Sequence, residues 1–167
     1  MKYISSTYLK DVEKYTFELF FDKSSNMAVT KKLIEKIKKP FCLVEYGKNY
    51  TICDDGYSIV EIVPMNKNYI VRIHIDASNN IIEHFFLMTK NNSVVDGIPV
   101  FEDLKLSLVY INGNIKIYNQ DIFEKMFNDG LISSEDHKMA LFEIEELENE
   151  IKNKNHFIFQ FDINKYL

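Results

Sequence analysis

The sequence predicts an α+β fold: an antiparallel β-barrel flanked by C-terminal helices. Two observations carry that reading. From Phe41 to Tyr118 apolar residues recur with a period of two, in short runs broken by turn residues. Short strands joined by short turns favour a meander that curls or closes into a barrel. Beyond Tyr118 the period becomes helical, and Ala140, Leu141, Ile144, Leu147 and Ile151 fall on one stripe. The 167 residues suffice for one domain with a full-sized core and are short for two. With 46% hydrophobic and 27% charged residues, the chain has ordinary globular composition, which argues against wholesale disorder.

The elements follow in chain order. Residues 1–30 form a tyrosine-rich lead with a strand expected over Thr16 to Phe21. LIEKIKKP, ending at Pro40, fits a short helix or a strand, with solvated lysines in either case. The barrel strands are expected over about residues 31–118, as FCLVEY, YTIC, YSIVEIV, NYIVRIHI and IIEHFFLM. Gly47-Lys48 suits a type II′ turn that pairs Tyr46 with Asn49 and sets Cys42 opposite Cys53. Asp54-Asp55-Gly56, Pro64 to Lys67 and Asp76 to Asn80 supply further turns. KNNSVVDGIP reads as a loop.

FEDLKLSLVYINGNIKIYNQDIFEK, residues 101–125, begins as a hairpin. Leu104, Leu106 and Leu108 alternate with Asp103, Lys105 and Ser107, giving one apolar and one polar face. Asn112-Gly113 suits a type I′ turn, which sets Ser107 opposite Tyr118 and brings Asp103 near Ile122. Helices are expected over about residues 120–155: a short one with Gly130 at its C′ position, then one capped by Ser133 or Ser134. EIEELENE is the solvated face of the second helix. In the tail, residues 156–167, Phe157, Phe159 and Phe161 alternate, which fits a last strand, an apolar extension packed on the barrel, or an exposed docking surface.

The net charge of −5 and the single arginine, Arg72, argue against a duplex nucleic-acid binder. No apolar run reaches signal-peptide or membrane-span length, so a cytoplasmic chain with reduced thiols is expected. No P-loop, GxSxG, HExxH or CxxC motif occurs. His74 and His84 fall on adjacent strands but read as structural histidines. Glu102, Asp103 and Asp121 lie near the ends of one hairpin, where two or three oxygens can hold a divalent cation.

In order and spacing, KKPFCLVEYGKNYTICDDGYSIVEIVP, NKNYIVRIHID, NIIEHFFLMTK and VDGIPVFEDLKLSLVYINGNIKIYNQDIF, followed by NDGLISSEDHKMALFEIEEL, resemble the bacterial FomD-like barrel proteins. The resemblance covers roughly residues 30–150 and is carried best by the GIP-x-x-x-DL step. It implies a small β-barrel with C-terminal helices and a nucleotide ligand. It also implies an activity, the hydrolysis of nucleoside di- or triphosphates with Mg²⁺ or Mn²⁺. The family's metals sit on an Asp or Asn in an E-W-Y-x-D/N-I strand, on a D-L-x-L-D strand, and on a D-E-D-E-L segment after the hairpin.

Carried over position by position, that ligand set is depleted. Leu87 replaces the first Asp or Asn, and Ser107 replaces the closing Asp of the second motif. Asn119 and Ile122 replace an Asp and a Glu of the third. Asp103 and Asp121 keep their carboxylates, and Asn119 keeps a neutral oxygen. The residual metal positions are therefore Asp103, Asn119 and Asp121. Two readings follow. One is a diverged, catalytically impaired or inactive member with a binding or structural role. The other is an active Mg²⁺- or Mn²⁺-dependent hydrolase with a rearranged site built on Asp103 and Asp121, assisted by Glu102 and Lys105.

Overall fold

Ten strands precede two helices in the computed structural model, which describes residues 1–167. They are β1 (Lys2–Tyr3), β2 (Val12–Asp22), β3 (Met27–Ile37), β4 (Phe41–Glu45), β5 (Lys48–Cys53), β6 (Ser58–Pro64), β7 (Tyr69–Ile75), β8 (Ile81–Val95), β9 (Ile98–Ile111) and β10 (Asn114–Tyr118). The helices are α1 (Gln120–Asn128) and α2 (Ser134–Lys152), and two short 3₁₀ turns, Phe157–Phe159 and Ile163–Tyr166, follow. One antiparallel sheet runs β1-β9-β8-β7-β6-β3-β2, with β10 also on β9, and β4-β5 form a separate hairpin. The large sheet curls into a half-barrel. It stays open because β2, at the far end, pairs only with β3.

The period of two becomes two different faces. Tyr69, Val71, Ile73 and Ile75 of β7 point to the same core as Phe86, Leu106, Leu108 and the α2 stripe Ala140, Ile144, Leu147 and Ile151. The alternate residues of β7 turn the other way: Ile70 joins an apolar cluster with Ile4, Ala28, Val63, Leu87 and Phe101, while Arg72 and His74 line a cavity. With cover on both faces, β6 and β7 are buried along their whole length.

Several expected elements take a different form. The β4-β5 turn is Tyr46-Gly47, with φ of 52° and 74°, so Glu45 faces Lys48. Both central residues have positive φ, the type I′ geometry that matches strand twist. That turn register sets Cys42 opposite Thr51, and a bulge beside Phe41 sets Cys53 opposite Phe41, so the thiols are not partners. KNNSVVDGIP is no loop: β8 continues to Val95 and turns at Asp96-Gly97 directly into β9. Its polar composition serves a bulge, where the Asn92 amide donates to the carbonyls of Pro64, Lys67 and Tyr69. The sheet also takes in the N-terminal lead, through β1 and β2.

LIEKIKKP ends a strand, since β3 pairs with both β2 and β6. The Asn112-Gly113 turn and the Ser107–Tyr118 register hold as expected. Gly130 takes a φ of 73° after α1, and Ser133 caps α2 by accepting from the Asp136 amide at 3.1 Å. The tail forms no strand. It packs as an apolar extension, with Ile158 and Ile163 buried in the helix-side core and Phe157 and Phe161 against it. No helix is long and apolar enough to cross a membrane.

Candidate functional site

The face opposite the helices carries a cavity of about 580 Å³. Its walls come from the segment Tyr8–Asp11, the β4-β5 hairpin, and strands β7 to β10. Each wall is tied in place by local chemistry. The Ile4 amide donates to the Pro99 carbonyl at 3.0 Å, and Ile4 is buried beside Phe101. Tyr8 and Leu9 pack on Ile34 and Ile37, while the Lys38 amide donates to the Asp11 carbonyl at 2.8 Å. On the other side, the Tyr46 hydroxyl reaches the Ile115 carbonyl and Lys116 pairs with the buried Glu45 at 3.0 Å, so the hairpin leans on β10. Phe41, Leu43, Phe85 and Tyr118 give the cavity aromatic and apolar surface.

Behind this surface lies a buried ionic group. Glu61 on β6 is fully enclosed and touches two cations: Lys32 of β3, also fully enclosed, and Arg72 of β7 at 2.7 Å. Lys32 further donates to the Ser6 carbonyl at 2.9 Å. Burial pushes the Glu61 carboxyl upward, but Lys32 and Arg72 together outweigh it and hold the group below the usual carboxylate range. Arg72 spends only its Nε on Glu61. Its guanidinium carbon lies 3.9 Å from the centre of the Tyr8 ring, and no protein acceptor engages either Nη. The planar fork thus faces the cavity with its two outer nitrogens free, the geometry that binds a carboxylate or phosphate in a bidentate way.

Beside Arg72 runs a second chain of polar groups. The Tyr8 hydroxyl is hydrogen-bonded to His74 Nε2, and His74 Nδ1 lies 3.0 Å from Glu83 Oε1, off the hydrogen-bond axis. His74 and Glu83 are both almost fully enclosed, and all three residues line the cavity. Glu83 Oε2 and the Tyr118 hydroxyl are buried without a protein partner. His84, the next residue on β8, turns to the opposite face beside Tyr110, where burial pushes it down to about 4. The two histidines are neighbours in sequence register but share no site.

The positions expected to hold metal assemble differently. Leu87, Ser107 and Tyr118 form one cross-strand row on β8, β9 and β10. Asp103 accepts from Lys2 Nζ at 2.6 Å, the Lys105 amide at 2.7 Å and Lys105 Nζ at 3.1 Å. Burial raises its carboxyl, but these donors outweigh that and hold it below the usual range. The Ser107 hydroxyl donates to the Lys105 carbonyl, and so does the Asn119 amide, at 3.2 Å. Asp121 is exposed in the first turn of α1, Ile122 is 46% exposed, and Glu102 is exposed on β9. No three His, Cys, Asp or Glu side chains converge. A divalent cation needs hard, unprotonated oxygens free to face it. Here the enclosed carboxylate already faces two ammonium groups, so these residues do not fit a bound Mg²⁺ or Mn²⁺.

Two solved structures share this architecture. The complex of FomD with CDP superposes with a TM-score of 0.65 over 89% of this chain and 83% of that one, at 13% identity. The fold is that of FomD. The phosphatase SC4828, solved with the non-hydrolysable nucleotide GPCP, superposes with a TM-score of 0.58 over 77% of this chain and 69% of its own, at 10% identity. No protein-family model matches the sequence, and no curated protein is similar to it.

On this FomD fold, sequence patterns pointed to the β9-β10 hairpin, and the cavity takes Val109, Tyr118 and Asn119 from it alongside residues of β4, β7, β8 and the N-terminal segment. Asn119 is the one expected metal position that lines it. Charged residues at inward positions of apolar strands, Glu61 in YSIVEIV and Arg72 in NYIVRIHI, were the available signal. Leu87 tests the metal positions directly. Leu87→Asp buries a carboxylate in an apolar cluster, so it lowers stability by roughly 3 kcal/mol or more. Urea melts with and without Mn²⁺ check this, and recovery in Mn²⁺ would show a working cation site.

Proposed function

We propose that this protein binds a nucleoside di- or triphosphate in the cavity between the N-terminal segment and the β4-β5 hairpin, and that its metal-type positions do not support Mg²⁺- or Mn²⁺-dependent hydrolysis. The observation that carries the reading is the free outer edge of Arg72, a buried fork aimed into a cavity with aromatic walls. The exposed Lys10 and Lys39 in the same lining add positive charge for further phosphate oxygens. Phe41 and Tyr118 offer faces on which a base can stack. Two proteins of this fold were solved with nucleotides, CDP and GPCP, which supports the ligand class.

Titration calorimetry with a panel including CDP and GDP tests the reading in EDTA. Binding is expected, and Lys10→Ala with Lys39→Ala weakens it by about tenfold, equivalent to about 1.4 kcal/mol. These two side chains are exposed, so the variant keeps its fold. No binding by any nucleotide overturns the reading. Phosphate release that requires Mg²⁺ or Mn²⁺ and vanishes in Asp103→Ala overturns its second half.

A further inference from the structure

We infer that Tyr8, His74 and Glu83 form a metal-independent phosphoryl-transfer triad in the cavity, with Tyr8 as the nucleophile. The inference rests on the nucleotide reading above and adds a reaction to it. Three geometric facts carry it. The Tyr8 hydroxyl is hydrogen-bonded to His74 Nε2, and Glu83 Oε1 lies 3.0 Å from the other ring nitrogen, off the hydrogen-bond axis. This places a nucleophile on a base with a carboxylate beside it, the set of groups that activates a hydroxyl for covalent catalysis once the imidazole turns onto Glu83. The Arg72 guanidinium lies over the same Tyr8 ring, its carbon 3.9 Å from the ring centre, so an anion held by its outer nitrogens is close to the nucleophile. Glu83 Oε2 and His74 Nδ1 are both buried at the cavity wall without a protein hydrogen-bond partner, which leaves the pair free to engage each other or a ligand.

Each residue has a definable part. Burial pushes the Tyr8 hydroxyl well above its usual range, so it keeps its proton until His74 removes it. In the first step Tyr8 Oη bonds to the terminal phosphorus of the nucleotide. The bridging P–O bond breaks, and the Tyr8 proton moves to His74 Nε2. Glu83 stabilises the imidazolium through Nδ1, and Arg72 binds the phosphoryl oxygens as charge builds on them. The imidazolium then gives its proton to the former bridging oxygen of the departing nucleotide, now one phosphate shorter. In the second step water bonds to the phosphorus and gives a proton to His74, the Tyr8–phosphorus bond breaks, and that proton returns to Tyr8. The net change is hydrolysis of one phosphoric anhydride bond.

The triad is also consistent with the lost metal positions. The groups in the cavity supply both the proton acceptor and the positive charge that a cation otherwise provides. The test uses the full chain in EDTA with CDP and GDP as probes, reading phosphate release, nucleotide affinity and the mass of the Tyr8 peptide after acid quench. Release in EDTA is expected, with a phosphoryl adduct on Tyr8. Tyr8→Phe keeps nucleotide affinity and loses roughly 100-fold or more in rate. Binding without release, or release that Tyr8→Phe retains, overturns the triad and leaves the nucleotide reading standing. Absence of binding by both probes overturns the nucleotide reading, and the triad falls with it.

Discussion

Glu61→Ala is expected to destabilise the protein by roughly 3–5 kcal/mol, the cost of leaving a buried ion pair with one partner. Lys32 is the reason. Its ammonium is fully enclosed and has two acceptors, Glu61 and the Ser6 carbonyl. With Glu61 gone, a buried cation keeps one neutral partner and no counter-charge. Arg72 suffers less, because its outer edge opens on the cavity. Total stabilities run at about 5–15 kcal/mol, so this one change consumes a large share. Urea denaturation checks it. A loss below about 1 kcal/mol would mean that the group is solvated after all. Replacing both Lys32 and Glu61 by apolar residues, as Lys32→Met with Glu61→Leu, recovers the part of the loss that Lys32 causes, while Arg72 still lacks the Glu61 acceptor.

The same group sets an acid limit. The Glu61 carboxyl is held below its ordinary range in the folded protein. A carboxylate of this kind contributes stability that is fully present above the unfolded pKa and is lost as pH falls through the folded one. Asp103, held low by Lys2 and Lys105, acts in the same direction. Stability therefore falls on acidification through the carboxylate range, and the fall is shallower in Lys32→Met with Glu61→Leu.

Ending the chain at Asn155 is expected to cost on the order of 5 kcal/mol. Ile158 and Ile163 are buried in the helix-side core, and each contributes roughly 1.5–3 kcal/mol by leaving water. His156 adds a bond to the buried Tyr69 hydroxyl at 2.9 Å, worth about 1 kcal/mol, and burial pushes its imidazole down to about 4. Phe86 and Phe157 lie edge-on and tilted against the same ring. The truncated chain should unfold at a much lower urea concentration. If it keeps full stability and loses only self-association, the tail is an interface.

The local pattern was most legible where one face of a strand or helix is buried and the other is not. FEDLKLSLVY with Asn112-Gly113 gave the hairpin and its register, and the α2 stripe gave the helix, its cap and its buried face. Legibility failed where a residue's role depends on what crosses over it. KNNSVVDGIP looked like a loop because its polar residues satisfy a bulge, not because the strand stops. The tail looked strand-like because its phenylalanines alternate, yet it folds into two short 3₁₀ turns that bury Ile158 and Ile163 and cap the helix-side core. Tyr46 at positive φ was invisible to turn rules that look first for glycine in that place.

By itself the sequence determined most of the central strands, the strong β9-β10 turn with its register, and the two helices with their cap and buried stripe. Those are local facts, written in side-chain periodicity and in single residue types. Only the tertiary structure decided that Tyr8, from the poorly patterned lead, stands over Arg72 and against His74, and that Lys32 and Glu61 neutralise each other behind them. Sheet pairing brings together groups far apart in sequence, and a buried charge is stable only beside its partner. The site was therefore set by which strands lie next to one another.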